Sequence, residues 1–287
     1  MPPALADTLA QLADLQQLVI APDLGHILET LKTPLAQYTE LEFRSDAKRI
    51  DLITLSDNPT DIQTFIKLLS ERGTSDEAIA VATRLAQFGM GKVMGMKIPV
   101  TGLPQGGEIY IRGALMLLNE VRYLLKAYDI SDTALDKIQE FATVFDKNHT
   151  HILAADVTMP PRFTVFFTTY LEPDKNHDDH NLVQQALEVI GIPQTSFFPI
   201  HDLLSISRPN TFYFSWQVGQ DTQRVKLDYR DVRLGLLAEA VRAAGAPEQV
   251  DVLTQWGTTL KLFEANYAGI ILAETGIVSA RGYFTLR

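Results

Sequence analysis

Arg162-Phe163-Thr164-Val165-Phe166-Phe167 and Arg224-Val225-Lys226-Leu227-Asp228-Tyr229 carry one pattern. Successive side chains of a strand point to opposite faces, so Arg224, Lys226 and Asp228 fall together, opposite Val225, Leu227 and Tyr229. Arg162, Thr164 and Phe166 likewise oppose Phe163 and Val165. Three more segments divide the same way. Glu42 and Arg44 oppose Leu41 and Phe43; Glu108, Tyr110 and Arg112 oppose Ile109 and Ile111; Arg281, Tyr283 and Thr285 oppose Gly282, Phe284 and Leu286. One face of each is apolar and must be covered. The other mixes charge with rings and hydroxyls.

Working outward, apolar spacing and turn residues predict helices over 3–18 and 23–38, then strands over 39–44 and 49–55. Helices 60–71 and 75–88 follow, the second opened by Thr74-Ser75-Asp76-Glu77, then strands 91–101 and 107–112 around a Gly/Pro-rich loop. Helices 113–127 and 131–145 precede strands 150–157 and 161–170; helices 178–190 and 194–203 precede strands 207–217 and 222–229. Helices 230–244 and 247–255 lead to a last group over 258–266, 268–275 and 280–286. The order helix, helix, strand, strand repeats with a period of about 57 residues, without sequence self-similarity. Strands joined by short loops are antiparallel, which excludes a doubly wound parallel sheet. Ten such strands twist too strongly to stay flat. The expected fold is therefore α+β: a ten-stranded antiparallel β-barrel inside a ring of helices, in five αα-ββ units, with residues 1–287 as a single domain. The apolar faces meet the helices and the polar, aromatic faces form the lumen, which is a ligand cavity.

Composition is that of a globular protein, with 46% hydrophobic and 21% charged residues. The absence of cysteine excludes thiol catalysis, zinc–thiolate centres and disulfides. A net charge of −10 argues against a nucleic-acid surface while allowing a local basic pocket. No signal-peptide pattern opens the chain and no stretch approaches ~18 apolar residues, so no membrane partner and a cytoplasmic location are expected.

Several motifs carry no chemistry. Gly89-Met90-Gly91-Lys92-Val93-Met94-Gly95 has the wrong spacing for a dinucleotide loop and precedes a strand, whereas pyrophosphate binding needs a helix N-terminus. His177-Asp178-Asp179-His180 sits before a helix, where such residues serve as caps. Asn148-His149-Thr150 is a glycosylation acceptor only in a secreted chain. No P-loop, G-x-S-x-G or H-E-x-x-H is present.

The combination of cations and rings, clearest in Leu153-Ala154-Ala155-Asp156-Val157 through Phe167 and in Phe212-Tyr213-Phe214-Ser215-Trp216 through Tyr229, resembles the soluble aromatic prenyltransferases of the αββα-barrel (ABBA) type. The resemblance covers nearly the whole chain. It implies transfer of a dimethylallyl or geranyl group from a prenyl diphosphate to a small electron-rich aromatic acceptor, an indole or indole alkaloid first and a phenol second. The leaving diphosphate needs cations where negative charge develops, and the allyl cation needs aromatic faces that exclude water. By position the resemblance assigns diphosphate binding to Arg44, Thr164, Lys226 and Arg281, to which Arg112 is added from the face of Glu108, and a ring shield to Tyr110, Phe166, Tyr213 and Tyr283. Glu42 and Glu108 are the catalytic candidates, holding an acceptor N–H or taking the ring proton.

One residue departs from the pattern. Glu108 stands where the family usually has a diphosphate-binding lysine, and a carboxylate there repels diphosphate. Either Arg112 supplies the charge, or Glu108 helps to hold Mg²⁺ or orients the acceptor. No cofactor beyond Mg²⁺ is implied, and members with arginine at the Arg44 position do without it. A monomer is expected. The alternative is a non-catalytic barrel that binds a hydrophobic or anionic small molecule.

Overall fold

The computed structural model describes residues 3–46, 49–101, 106–146, 149–157, 161–170, 179–192, 196–206, 211–218 and 224–286. Its strands are β1 (Thr39–Arg44), β2 (Asp51–Ser56), β3 (Val93–Pro99), β4 (Glu108–Leu117), β5 (His149–Asp156), β6 (Arg162–Tyr170), β7 (Thr211–Val218), β8 (Val225–Arg233), β9 (Glu264–Ala273) and β10 (Gly276–Leu286). They close into one barrel in which each strand pairs with its sequence neighbours and β10 returns to β1. Every pairing is antiparallel. The expected α+β barrel is what the chain forms.

The helices lie outside: α1 (Pro3–Leu15), α2 (Leu24–Thr30), α3 (Lys32–Gln37), α4 (Pro59–Glu71), α5 (Asp76–Phe88), α6 (Leu118–Lys126), α7 (Asp132–Val144), α8 (Asp179–Val189), α9 (Phe198–Ser205), α10 (Leu234–Ala243) and α11 (Gln249–Leu260). Asn58, Ser75 and Ser131 cap α4, α5 and α7 by accepting from backbone N–H groups. The core is the layer between helices and barrel. Phe43 and Phe284 meet Trp256 of α11, with ring centroids 5.5 and 5.7 Å away. Phe141 of α7 meets Phe167 and Phe214 at 5.1 and 4.8 Å. The outward strand residues Leu41, Ile111, Val165 and Leu227 are fully buried there. Among the described residues no helix is long and apolar enough to cross a membrane.

Three boundaries differ from expectation. The helix read over 23–38 is two helices, because Pro34 lacks an N–H and its ring opposes a helical carbonyl at Thr30, where α2 ends. β4 runs on through Leu117, and a register shift between Arg112 and Met116 disguises the alternation. The last group holds two strands and not three: α11 continues to Leu260 and stops at Lys261, in the left-handed conformation with φ 56°. A shift between Ile277 and Ser279 breaks the alternation inside β10, which is why the sequence pattern splits there.

Candidate active site

The inward faces enclose a cavity of about 360 Å³. Alternation on the strands delivers its walls, and every residue picked from the sequence lines it except Glu42. Arg44, Glu108, Tyr110, Arg112, Thr164 and Phe166 do so from β1, β4 and β6, and Tyr213, Lys226, Arg281 and Tyr283 from β7, β8 and β10. Glu42 is wholly buried behind that wall.

Lys97 of β3, which sequence reasoning missed, explains both carboxylates. It pairs in register with Glu108 across the β3–β4 hairpin. Its ammonium lies 2.6 Å from Glu42 Oε2, 2.9 Å from Glu108 Oε1 and 3.9 Å from Asp51 Oδ2. The hydrogen bonds then run onward. Tyr110 donates to Glu108 Oε2, Arg281 Nη1 donates to Glu42 Oε1 at 2.9 Å, and Tyr283 donates to the same oxygen at 3.2 Å. Lys226 donates to Tyr283 at 2.6 Å and stands 2.7 Å from Asp228 Oδ1. One chain of contacts therefore links Tyr110 to Asp228 across the lumen.

Electrostatics follow from this chain. Burial pushes the Glu108 carboxyl up, but the Lys97 charge, with hydrogen bonds from Tyr110 and Lys97, outweighs it and holds the group at about 2. Burial is likewise overcome at Glu42 by Lys97, Arg281 and Arg44, and its carboxyl lies well below the usual range. Burial and the Glu108 charge keep Tyr110 a phenol; burial and the Glu42 charge do the same for Tyr283. At the other end burial lowers Lys226 and raises Asp228, each opposed by its partner's charge.

Glu108 thus takes its counter-charge from Lys97. Arg112, the sequence-based candidate for that task, has no ion pair among the described residues. Both Glu108 oxygens are engaged and an ammonium presses on one of them, so this carboxylate does not suit Mg²⁺.

Rings occupy the remaining wall. Tyr110 and Phe166 meet edge to face with centroids 6.5 Å apart. Tyr213 meets Tyr267 at 5.7 Å. Tyr267 was missed because the expected strand break fell beside it, although Tyr267, Gly269 and Ile271 alternate inward. Gly269 is a close approach: a Cβ there would lie 2.6 Å from Asp228 Oδ1 and 2.7 Å from Lys226 Cε. Gly95 is another, since a Cβ would meet Tyr110 Cβ at 3.1 Å, and the glycines before it close α5 and turn into β3. Arg162 and Arg224, placed on the inward face by alternation but given no role, line the cavity near its hairpin end. His177, Asp178 and Asn148 lie outside the described residues.

The closed ten-stranded barrel with helices outside is the fold of the ABBA prenyltransferases. Among solved structures, 5-dimethylallyl tryptophan synthase from Streptomyces coelicolor, in complex with DMASPP and Trp, superposes with TM-score 0.63 at 11% identity, over 98% of this chain and 93% of that one. A 6-dimethylallyl tryptophan synthase gives 0.67 at 10%, covering 98% and 94%. NotF in complex with brevianamide F and DMSPP gives 0.54 at 13%, covering 86% and 79%. No family model and no curated protein matches the chain.

Proposed function

We propose that the barrel is an aromatic prenyltransferase that moves a dimethylallyl or geranyl group from a prenyl diphosphate to an electron-rich ring, an indole or indole alkaloid first. The observation that carries this reading is the convergence of Lys226 and Arg281 with Tyr110, Phe166, Tyr213 and Tyr283 on one cavity. The solved neighbours bound to DMASPP with Trp, and to DMSPP with brevianamide F, support it through the shared fold.

In this mechanism the allylic C–O bond breaks and its electron pair leaves with diphosphate. Arg44, Arg112, Thr164, Lys226 and Arg281 meet the charge that develops on the leaving oxygens. The four rings face the allyl cation and exclude water. A ring carbon of the acceptor forms the new C–C bond, and the resulting arenium ion gives up its proton. Glu108 fits that last task better than Glu42, because it reaches the cavity. An arenium ion is a strong acid, so a carboxylate held at about 2 still accepts its proton. Glu42 acts from behind the wall, orienting Lys97, Arg281 and Tyr283.

A second reading, a barrel that only binds a hydrophobic or anionic molecule, is favoured by one observation. The clamp cations already have carboxylate partners: Glu42 for Arg281, Asp228 for Lys226, and Asp46 for Arg44. Incubation with dimethylallyl diphosphate and a panel of indoles and phenols, with and without Mg²⁺, separates the two by mass. Addition of one C5H8 unit to an acceptor supports transfer. Tight binding of the diphosphate or of an acceptor with no product across the panel supports the carrier.

A further inference from the structure

On the outer side of the barrel wall, α8 and α9 bring together two imidazoles and a carboxylate that the lumen chemistry does not use. His180 stands at the start of α8, and His201 and Asp202 are neighbours in α9. One donor atom from each lies within 4.8 Å of the others. His180 Nε2 is 2.5 Å from Asp202 Oδ1. Both rings are held by other contacts. Phe198 stacks on His180 with centroids 4.3 Å apart and planes 17° apart. The Tyr229 hydroxyl lies 2.8 Å from His201 Nδ1, and an outer contact of this kind fixes the ring plane of metal-bound histidines.

We propose that His180, His201 and Asp202 form a binding site for a divalent transition metal, Zn²⁺ in the first instance. Two imidazoles with one carboxylate and no thiolate suit Zn²⁺, Ni²⁺ or Co²⁺ and not Mg²⁺ or Ca²⁺, which take oxygen donors. Donor atoms around a tetrahedral Zn²⁺ with bonds of about 2.0–2.2 Å lie about 3.4 Å apart. The widest separation must therefore close by on the order of 1 Å, which the exposed side chains of His180 and Asp202 permit. The remaining coordination position is left for water. The bound ion ties α8 to α9 and, through His201 and Tyr229, to β8, the strand whose other face carries Lys226 and Asp228. The site stands independently of the reaction proposed for the lumen.

The test uses the full chain after treatment with a chelator. Zinc chloride is titrated by calorimetry, and cobalt chloride by its visible d–d absorption, which reports coordination geometry. One equivalent of each should bind, and Zn²⁺ should raise the Tm. His180→Ala and Asp202→Asn alter partly exposed side chains, so the variants should fold; each should weaken Zn²⁺ binding at least about tenfold and abolish the cobalt band and the Tm rise. His26→Ala removes another histidine–carboxylate pair, with Glu71, and should change nothing. The assignment is overturned by absence of stoichiometric binding, by binding that survives His180→Ala, or by binding that His26→Ala also removes.

Discussion

Two regions of the lumen handle charge in opposite ways. Around Lys97, on β1 to β4 and β10, buried charges answer one another: Glu42, Asp51 and the partly buried Glu108 surround one ammonium, and Arg281 closes the far side. At the β5–β6 and β7–β8 hairpin end, Arg162 of β6 and Arg224, just before β8, are exposed, and neither has an ion pair among the described residues. A buried, answered charge holds its neighbours in place and is costly to disturb. An exposed, unanswered one contributes little to stability but leaves a field for an incoming anion. The first region should govern whether the barrel stands, and the second how a charged ligand enters it.

Breaking the first region should give the largest effect. Lys97→Met leaves three carboxylates without their shared counter-charge, and the chain should lose about 3–5 kcal/mol of unfolding free energy, measured by urea denaturation. A loss below about 1 kcal/mol would erase the contrast with the hairpin end. Lys226 joins the two regions, because it touches both Tyr283 and Asp228. Lys226→Ala should remove about 2–4 kcal/mol of transition-state stabilisation, read as a roughly 30- to 900-fold fall in kcat/KM for prenyl transfer. Turnover near that of the unaltered chain would withdraw Lys226 from the proposed diphosphate clamp.

These residues were not equally legible in the sequence. The outer faces were, because burial against helices writes a strict two-residue alternation: Leu41, Ile109, Phe163 and Leu227 are apolar wherever the wall requires it. The polar residues that share a strand face were legible for the same reason. Lys97 was not, since it is the sole charge in Val93-Met94-Gly95-Met96-Lys97-Ile98 and reads as an incidental lysine in an apolar strand. Its meaning lies in the strand next to it. Pairing Lys97 with Glu108 requires the register of the hairpin, and the intervening Gly/Pro-rich loop hid that register. Asp51 and Tyr267 were lost in the same manner, one needing its partner Lys97 on the neighbouring strand and the other the end of α11 at Lys261, after which β9 begins. Alternation specifies a face; it does not specify who stands opposite.

Glu40 sharpens the comparison, being buried on β1 with only partial compensation. Burial raises its carboxyl from an ordinary 4.5 to about 7, against the hydrogen bond with Tyr38 and the charge of Arg112. Between those values the folded chain keeps a proton that the unfolded chain has released, so stability falls as pH rises through the window and levels off above about 7. Glu40→Gln should remove that slope and raise stability at pH 8 by about 2–3 kcal/mol. Parallel stability–pH curves for the two proteins would show that folding does not raise the Glu40 carboxyl.

The smallest effect on stability is expected at the hairpin end, and there the informative quantity is different. Arg162→Ala and Arg224→Ala each remove an exposed guanidinium that forms no ion pair among the described residues, Arg162 acting on its register partner Asp156 only through its field, so the unfolding free energy should change by less than about 0.5 kcal/mol. The same substitutions weaken the positive field at the cavity, which draws in a diphosphate over roughly a Debye length, about 10 Å at 0.1 M salt. The double variant should therefore raise KM for the prenyl diphosphate at low salt, with kcat held, and the difference from the unaltered chain should shrink as salt is added. A fall in kcat that salt does not alter would mean that these arginines touch the reacting group, and the division between a structural region and an entry region would have to be redrawn.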